Sequence, residues 1–168
     1  MSRGPIHQYL SHDHTRLGAL LAQATANPAA IDLAAYEPFR SGLLRHVAIE
    51  EKVLSADSRA RRGGVRLPVT RQLHADHAVL ASLLVPTPSH WLLETIRQIL
   101  AEHDPLEEDP GGLYESCEQL AGAEIDHVVA RMHAIPPVRE SEHVDQGVPH
   151  LRSDRTSRRI PPWPADPW

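Results

Sequence analysis

The feature that most constrains this chain is a set of apolar seams at helical spacing, each interrupted by histidine or glutamate at one level only. Inward steps of three and four residues read His7, Leu10, His14, Leu17, Leu21, Ala24 in a first segment and Tyr36, Phe39, Leu43, His46, Glu50, Val53 in a second. A third gives Leu73, His77, Leu80, Leu84, and a fourth Leu92, Ile96, Ile99, His103, Glu107. Such periodicity specifies amphipathic helices, and no stretch alternates as a half-buried strand would. A helix buries its seam only against other elements, so polar groups carried in the seams must share one interior.

Turn residues bound these segments. Helices are expected over 6–26, ending before Asn27-Pro28, and over 36–55, followed by a basic loop from Arg59 to Arg66. A third starts after Pro68 and ends near Val85, where Pro86-Thr87-Pro88 forbids continuation; a fourth follows Ser89, an N-cap residue, and stops by Asp109-Pro110. A fifth is expected over 113–135. Short connections make successive helices antiparallel neighbours, so the expected fold is all-α: an antiparallel up-down-up-down four-helix bundle with an additional C-terminal helix. In that order the starts of helices one and three and the ends of two and four lie at one end of the molecule. From His14 to the end of its helix is about 18 Å at roughly 1.5 Å per residue, and the return to His46 covers about as much. The third helix is shorter after His77, and the Pro-containing connection must supply the remaining length.

An internal repeat gives the same picture. Asp-His-x-x-Leu-x-x-Leu-Leu occurs at Asp13-His14 and again at Asp76-His77, and His-x-x-x-Glu-Glu at His46 and again at His103. The chain is a doubled helix pair. His46/Glu50 and His103/Glu107 stand four residues apart, on one face of their helices, and each pair is a natural chelate. Buried carboxylates without compensation are costly, and a metal removes that cost. Glutamates bridging two ions would give each ion two imidazoles and two carboxylate oxygens, with a position left open on an octahedral ion. A set of His14, His46, Glu50, His77, His103 and Glu107 favours a centre of two iron ions, with manganese and zinc behind it. Zinc would find its tetrahedron complete and the site closed.

The segments DHTRL, HVAIEE, HADH and HDPLEED resemble the hemerythrin-like HHE cation-binding domain over roughly 6–135. The resemblance implies a four-helix bundle holding a non-haem di-iron site. It implies a role in binding or sensing oxygen, nitric oxide or peroxide, or in handling iron, with an oxidoreductase consuming peroxide or nitric oxide as the alternative on the same scaffold. The family's ligands carry over onto the six residues just named. A zinc-bound or metal-free interaction module is the remaining alternative. Two departures separate the chain from oxygen-carrying hemerythrins: Leu73 stands where a third-helix histidine would be, with His74 a candidate replacement, and Glu107 stands where they have an aspartate. Both point to the family's sensor or redox branches.

Composition bounds the rest. A chain of 168 residues with 41% apolar content supports one core, expected over residues 1–136; residues 137–168, rich in Pro and Arg, are expected to be a flexible tail available to a protein partner. A net charge of -5 argues against a nucleic-acid-binding surface. No run approaches the length of a membrane span, and the single Cys117 fits a reducing compartment, so a cytoplasmic protein is expected. His7 shares the seam of His14 and is a secondary candidate. Glu51 and Glu108, which follow the candidate ligands, are expected in solvent or against a ligand imidazole. Pro105, inside the fourth His-x-x-x-Glu, is expected to loosen that chelate. Cys117 is expected to be packed.

Overall fold

Local chemistry accounts for several helix ends in the computed structural model, which describes residues 3–139 and 141–145. Helix α1 (Pro5–Ala24) begins with a proline in its first turn, where the missing N–H has no partner to lose. Helix α2 (Leu33–Ile49) is capped by Asp32, whose carboxylate accepts the Ala34 N–H at 2.9 Å. The chain then stays helical past Ser55: a π-helical segment (Glu50–Ser55) leads into α3 (Ala56–Arg61). Part of the expected basic loop is therefore helix. Within it Arg61 pairs with Asp57 one turn back and with Glu124 of the distant 3-10 turn at 2.8 Å.

Helix α4 (Thr70–Leu83) stops before the Pro86-Thr87-Pro88 connection. Helix α5 (His90–Glu108) is capped by Ser89, which accepts from the Leu92 N–H at 3.3 Å, and it runs through Pro105 without a break. The continuous helix expected over 113–135 is instead two, α6 (Leu113–Ala121) and α7 (Ile125–His133), joined by a 3-10 turn (Gly122–Glu124). Gly122 has φ +52°, a conformation that costs glycine little and other residues more.

The regular secondary structure of the described residues is all helical, and none of them forms a strand. Helix α1 packs on α2 and α4 on α5, while α6 touches α1, α3 and α5. The core lies in two apolar clusters. One gathers Ile6, Leu10, Ile49, Leu54 and Leu73 with Leu113 and Tyr114; the other gathers Leu17, Leu21, Phe39 and Leu43 with Leu80, Leu93 and Ile96. The buried polar side chains of the four seams interrupt the apolar packing between them.

Residues 141–145, placed by the sequence in the tail, lie against the bundle. The Ser141 carbonyl accepts from Arg40 at 2.9 Å, the Val144 N–H donates to the Val85 carbonyl, and Asp145 accepts from Thr87 through both carboxylate oxygens. The rest of the expected tail from residue 146 onward, including His150 and the basic and Trp-containing stretches, lies outside the described residues. No described helix is long and apolar enough to cross a membrane.

Candidate metal centre

All six residues expected as ligands meet in the interior. They form two overlapping groups: His14, His46, Glu50 and Glu107, and Glu50, His77, His103 and Glu107, each with its ligand atoms within 4.8 Å of one another. Five of the six are under 5% exposed, and both glutamates are fully buried. Glu50 and Glu107 belong to both groups because each turns one oxygen to each side. Glu50 Oε1 lies 3.1 Å from His46 Nε2, and its Oε2 lies 3.2 Å from His77 Nε2. Glu107 Oε1 lies 3.0 Å from His103 Nε2, and its Oε2 lies 3.4 Å from His14 Nε2.

All four imidazoles aim Nε2 inward and give Nδ1 to a carboxylate. His14 Nδ1 is 2.6 Å from Glu108, His46 Nδ1 2.9 Å from Asp13, His77 Nδ1 2.7 Å from Glu51, and His103 Nδ1 3.2 Å from Asp76. Such contacts fix the ring and raise the basicity of the inward nitrogen, as outer carboxylates do around metal-bound histidine. The internal repeat governs the pattern. Asp13 and Asp76 each steady a histidine of their own helix pair, whereas Glu51 and Glu108 each cross to the other pair.

This arrangement fits a metal. With Nδ1–H turned to a carboxylate, the inward nitrogens carry lone pairs, yet His14 and His46 Nε2 stand 2.9 Å apart and His77 and His103 Nε2 3.2 Å apart. Lone pairs that close require a proton or a cation between them. Glu50 Oε2 and Glu107 Oε1 are buried and receive no well-oriented hydrogen bond. Buried unsatisfied carboxylate oxygens are costly, and a cation is the partner they lack.

The titration behaviour of the protein groups agrees. Burial by itself would lower His46 and His77, but Glu50 and Asp13 lift His46 to about 10, and Glu107, Glu50 and Glu51 lift His77 to about 11. Burial opposes ionisation of Glu107 too, and the imidazoles of His103, His14 and His77 beside it more than offset that burial. Burial would likewise raise Asp13, but His46 and Arg16 hold it at about 2. The interior thus demands positive charge, which protons supply when nothing else does.

Sequence reasoning did not single out Tyr114. Its hydroxyl lies 2.7 Å from Glu50 Oε1 and 3.0 Å from Glu107 Oε2, so it donates between the two shared carboxylates, and it lies 3.2 Å from His14 Nε2. Burial and the two glutamates push this phenol well above its ordinary value. His7 is not a ligand. It is buried, its Nε2 meets the Glu108 carbonyl at 3.0 Å, and its ring stands edge-on to Tyr114. His74 does not replace the missing histidine either: its side chain is 68% exposed, and it shares Glu51 with His77 from outside. Pro105 does not loosen the second chelate, since the His103–Glu107 distance of 3.0 Å matches the 3.1 Å of His46–Glu50. Cys117 is buried and pushed up to about 12 by that burial, which makes it a packing residue.

The two glutamates are shared, the four imidazoles are oriented, and the buried groups of these helices can hold a metal ion. Compared with models of protein families, with curated proteins and with solved structures, the chain matches none.

Proposed function

We propose that this chain is a non-haem di-iron protein of the hemerythrin-like type that binds or senses a small ligand, namely oxygen, nitric oxide or a peroxide. The observation that carries the reading is the sharing of Glu50 and Glu107 between two four-residue groups, each with two inward imidazoles. Two carboxylates split between two sites are the natural bridges of a two-metal centre, and a mixed imidazole and carboxylate donor set suits iron. His14 and His46 would hold one ion, His77 and His103 the other. The helix order that brings these residues to one height is the up-down-up-down arrangement of four helices, with α6 and α7 added at the C-terminal side. Iron held by these residues would supply a place for the small ligand and a ferrous-ferric couple. The protein supplies orientation through Asp13, Glu51, Asp76 and Glu108, a hydrogen-bond donor in Tyr114, and a frame of two apolar clusters.

Metal analysis together with the visible spectrum of aerobically purified protein tests the proposal. About two irons per chain with oxo-bridged ferric charge-transfer bands is the expected result. Zinc, or no metal after anaerobic ferrous reconstitution, overturns it and leaves a structural site.

A further inference from the structure

A cavity of about 230 Å³ runs from the candidate metal centre to the surface between α1 and α5. Its floor is made of His14, His46, Glu50 and His103, and its walls include Leu17, Leu21, Leu43 and Leu80. Gly18 of α1 and Ala101 of α5, both exposed, form opposite lips. Arg97 stands beside them, held by Glu94 at 2.9 Å and by Thr25 at 3.0 Å.

The size of this space decides what it suits. A diatomic molecule needs little more than the roughly 30 Å³ of one water, whereas an apolar cavity of about 150 Å³ accepts benzene. At about 230 Å³ the cavity is too large to be selective for oxygen or nitric oxide and too small for a drug-sized ligand, whose pockets start at roughly 300 Å³. The chemistry is graded along its length, with aliphatic side chains on the walls and donors and acceptors at the floor. Asp104 also lines it, and its Oδ1 is buried with no hydrogen-bond partner, so an acceptor for an O–H is already in place.

We infer that this cavity binds a small organic hydroperoxide, its branched alkyl or aryl body against the leucines and its oxygen head at the histidine and glutamate floor. The inference rests on the proposed metal centre for the role of the head and on the cavity alone for the body. It selects the organic peroxides from the ligand classes named above. The O–H of the head donates to Asp104, and the apolar body displaces water from walls that offer it no partners.

Gly18 supplies the test. A Cβ built there meets no atom within 4 Å, so a larger side chain has room to enter. Replacing a mid-helix glycine also favours the helix. Cumyl alcohol, the unreactive analogue of cumene hydroperoxide, is titrated by calorimetry into the full chain before and after iron removal, with cumene as the probe lacking oxygen. The expected result is saturable binding of the alcohol, at least tenfold weaker in both Gly18→Leu and Ala101→Leu at unchanged iron content and helicity, and at least fivefold weaker for cumene. Absence of saturable binding to the wild type, equal affinity in both variants, or equal affinity for cumene overturns the inference. Gly18-dependent binding by a protein that takes up no iron upholds the cavity and overturns the metal reading, so the two failures are distinguishable.

Discussion

The two halves of the centre come from the same repeated sequence, yet they are not equivalent. Around His14 and His46 the Tyr114 hydroxyl stands 3.2 and 3.4 Å from the inward nitrogens. Around His77 and His103 no tyrosine takes part, and Glu51 is shared with the exposed His74. The repeat supplies what symmetry can supply: four imidazoles, two shared carboxylates and four outer carboxylates. The tyrosine that distinguishes the halves comes from α6, which has no counterpart in the repeat. A doubled frame therefore gives two similar sites, and one added helix makes them chemically different.

The strongest way to break this comparison is to remove what the halves share. Glu50→Ala or Glu107→Ala takes an oxygen from both groups and should lower bound metal from about two ions per chain to fewer than one, as measured by elemental analysis after reconstitution. Removing what they do not share should separate them. His14→Ala and His77→Ala should each retain about one ion, at opposite ends of the shared pair of glutamates. Loss of both ions in either single variant would mean that the groups act only as a unit.

A pH titration of the chelator-stripped protein compares the halves without metal. His46 and His77 carry folded values of about 10 and about 11, above the ordinary 6.5, so the stabilisation from their protonated forms is complete below about pH 6.5 and is lost as the pH rises through those values. The urea midpoint should therefore fall progressively on the alkaline side, and less steeply in His46→Ala and in His77→Ala than in the wild type. Metal affinity should move the opposite way, rising with pH because protons compete for the same nitrogens. A midpoint flat from pH 7 to 11 would contradict the assignment.

Much of this was legible in the sequence, and the reason is periodicity. Polar residues that interrupt an apolar seam at one level stand out, so all six inward residues could be named before the fold was known. The outer carboxylates were half legible. Glu51 and Glu108 drew notice by following a candidate ligand, while Asp13 and Asp76 lay inside the repeated Asp-His motif without being assigned, because an aspartate beside a histidine reads as solvated until its partner helix is placed. Tyr114 was not legible. It lies beyond the Pro110-Gly111-Gly112 break, and a tyrosine on an apolar stripe looks the same whether its hydroxyl meets water or a buried glutamate. The π-helical segment at Glu50–Ser55 left no periodic trace either, since it falls at the end of its apolar seam, and the break at Gly122 leaves the spacing of Cys117, Ala121, Ile125 and Val128 helical on both sides.

Tyr114→Phe sharpens the comparison without removing a ligand. The variant should keep both metal ions, and in the stripped protein it should lose about 1.5–3 kcal/mol by urea denaturation, the usual worth of a hydrogen bond to a charged partner. If the centre holds two irons, as proposed, the two ferric environments should become more alike, with two Mössbauer quadrupole doublets in the wild type converging in the variant. Unchanged doublets would place the source of asymmetry elsewhere.

The smallest effect is expected at His143, which resembles the site histidines in one respect only. Its Nε2 lies 2.9 Å from Glu37 and its ring lies beside Tyr36, so it helps hold residues 141–145 on the bundle. It has no facing imidazole nitrogen, and the carboxylate it meets is partly exposed. A contact of that kind is worth roughly 0–1 kcal/mol. His143→Ala should therefore lower stability by no more than about 1 kcal/mol while leaving metal content unchanged. A variant that lost metal as well would tie the 141–145 segment to the centre and make the two ends of the bundle one cooperative unit.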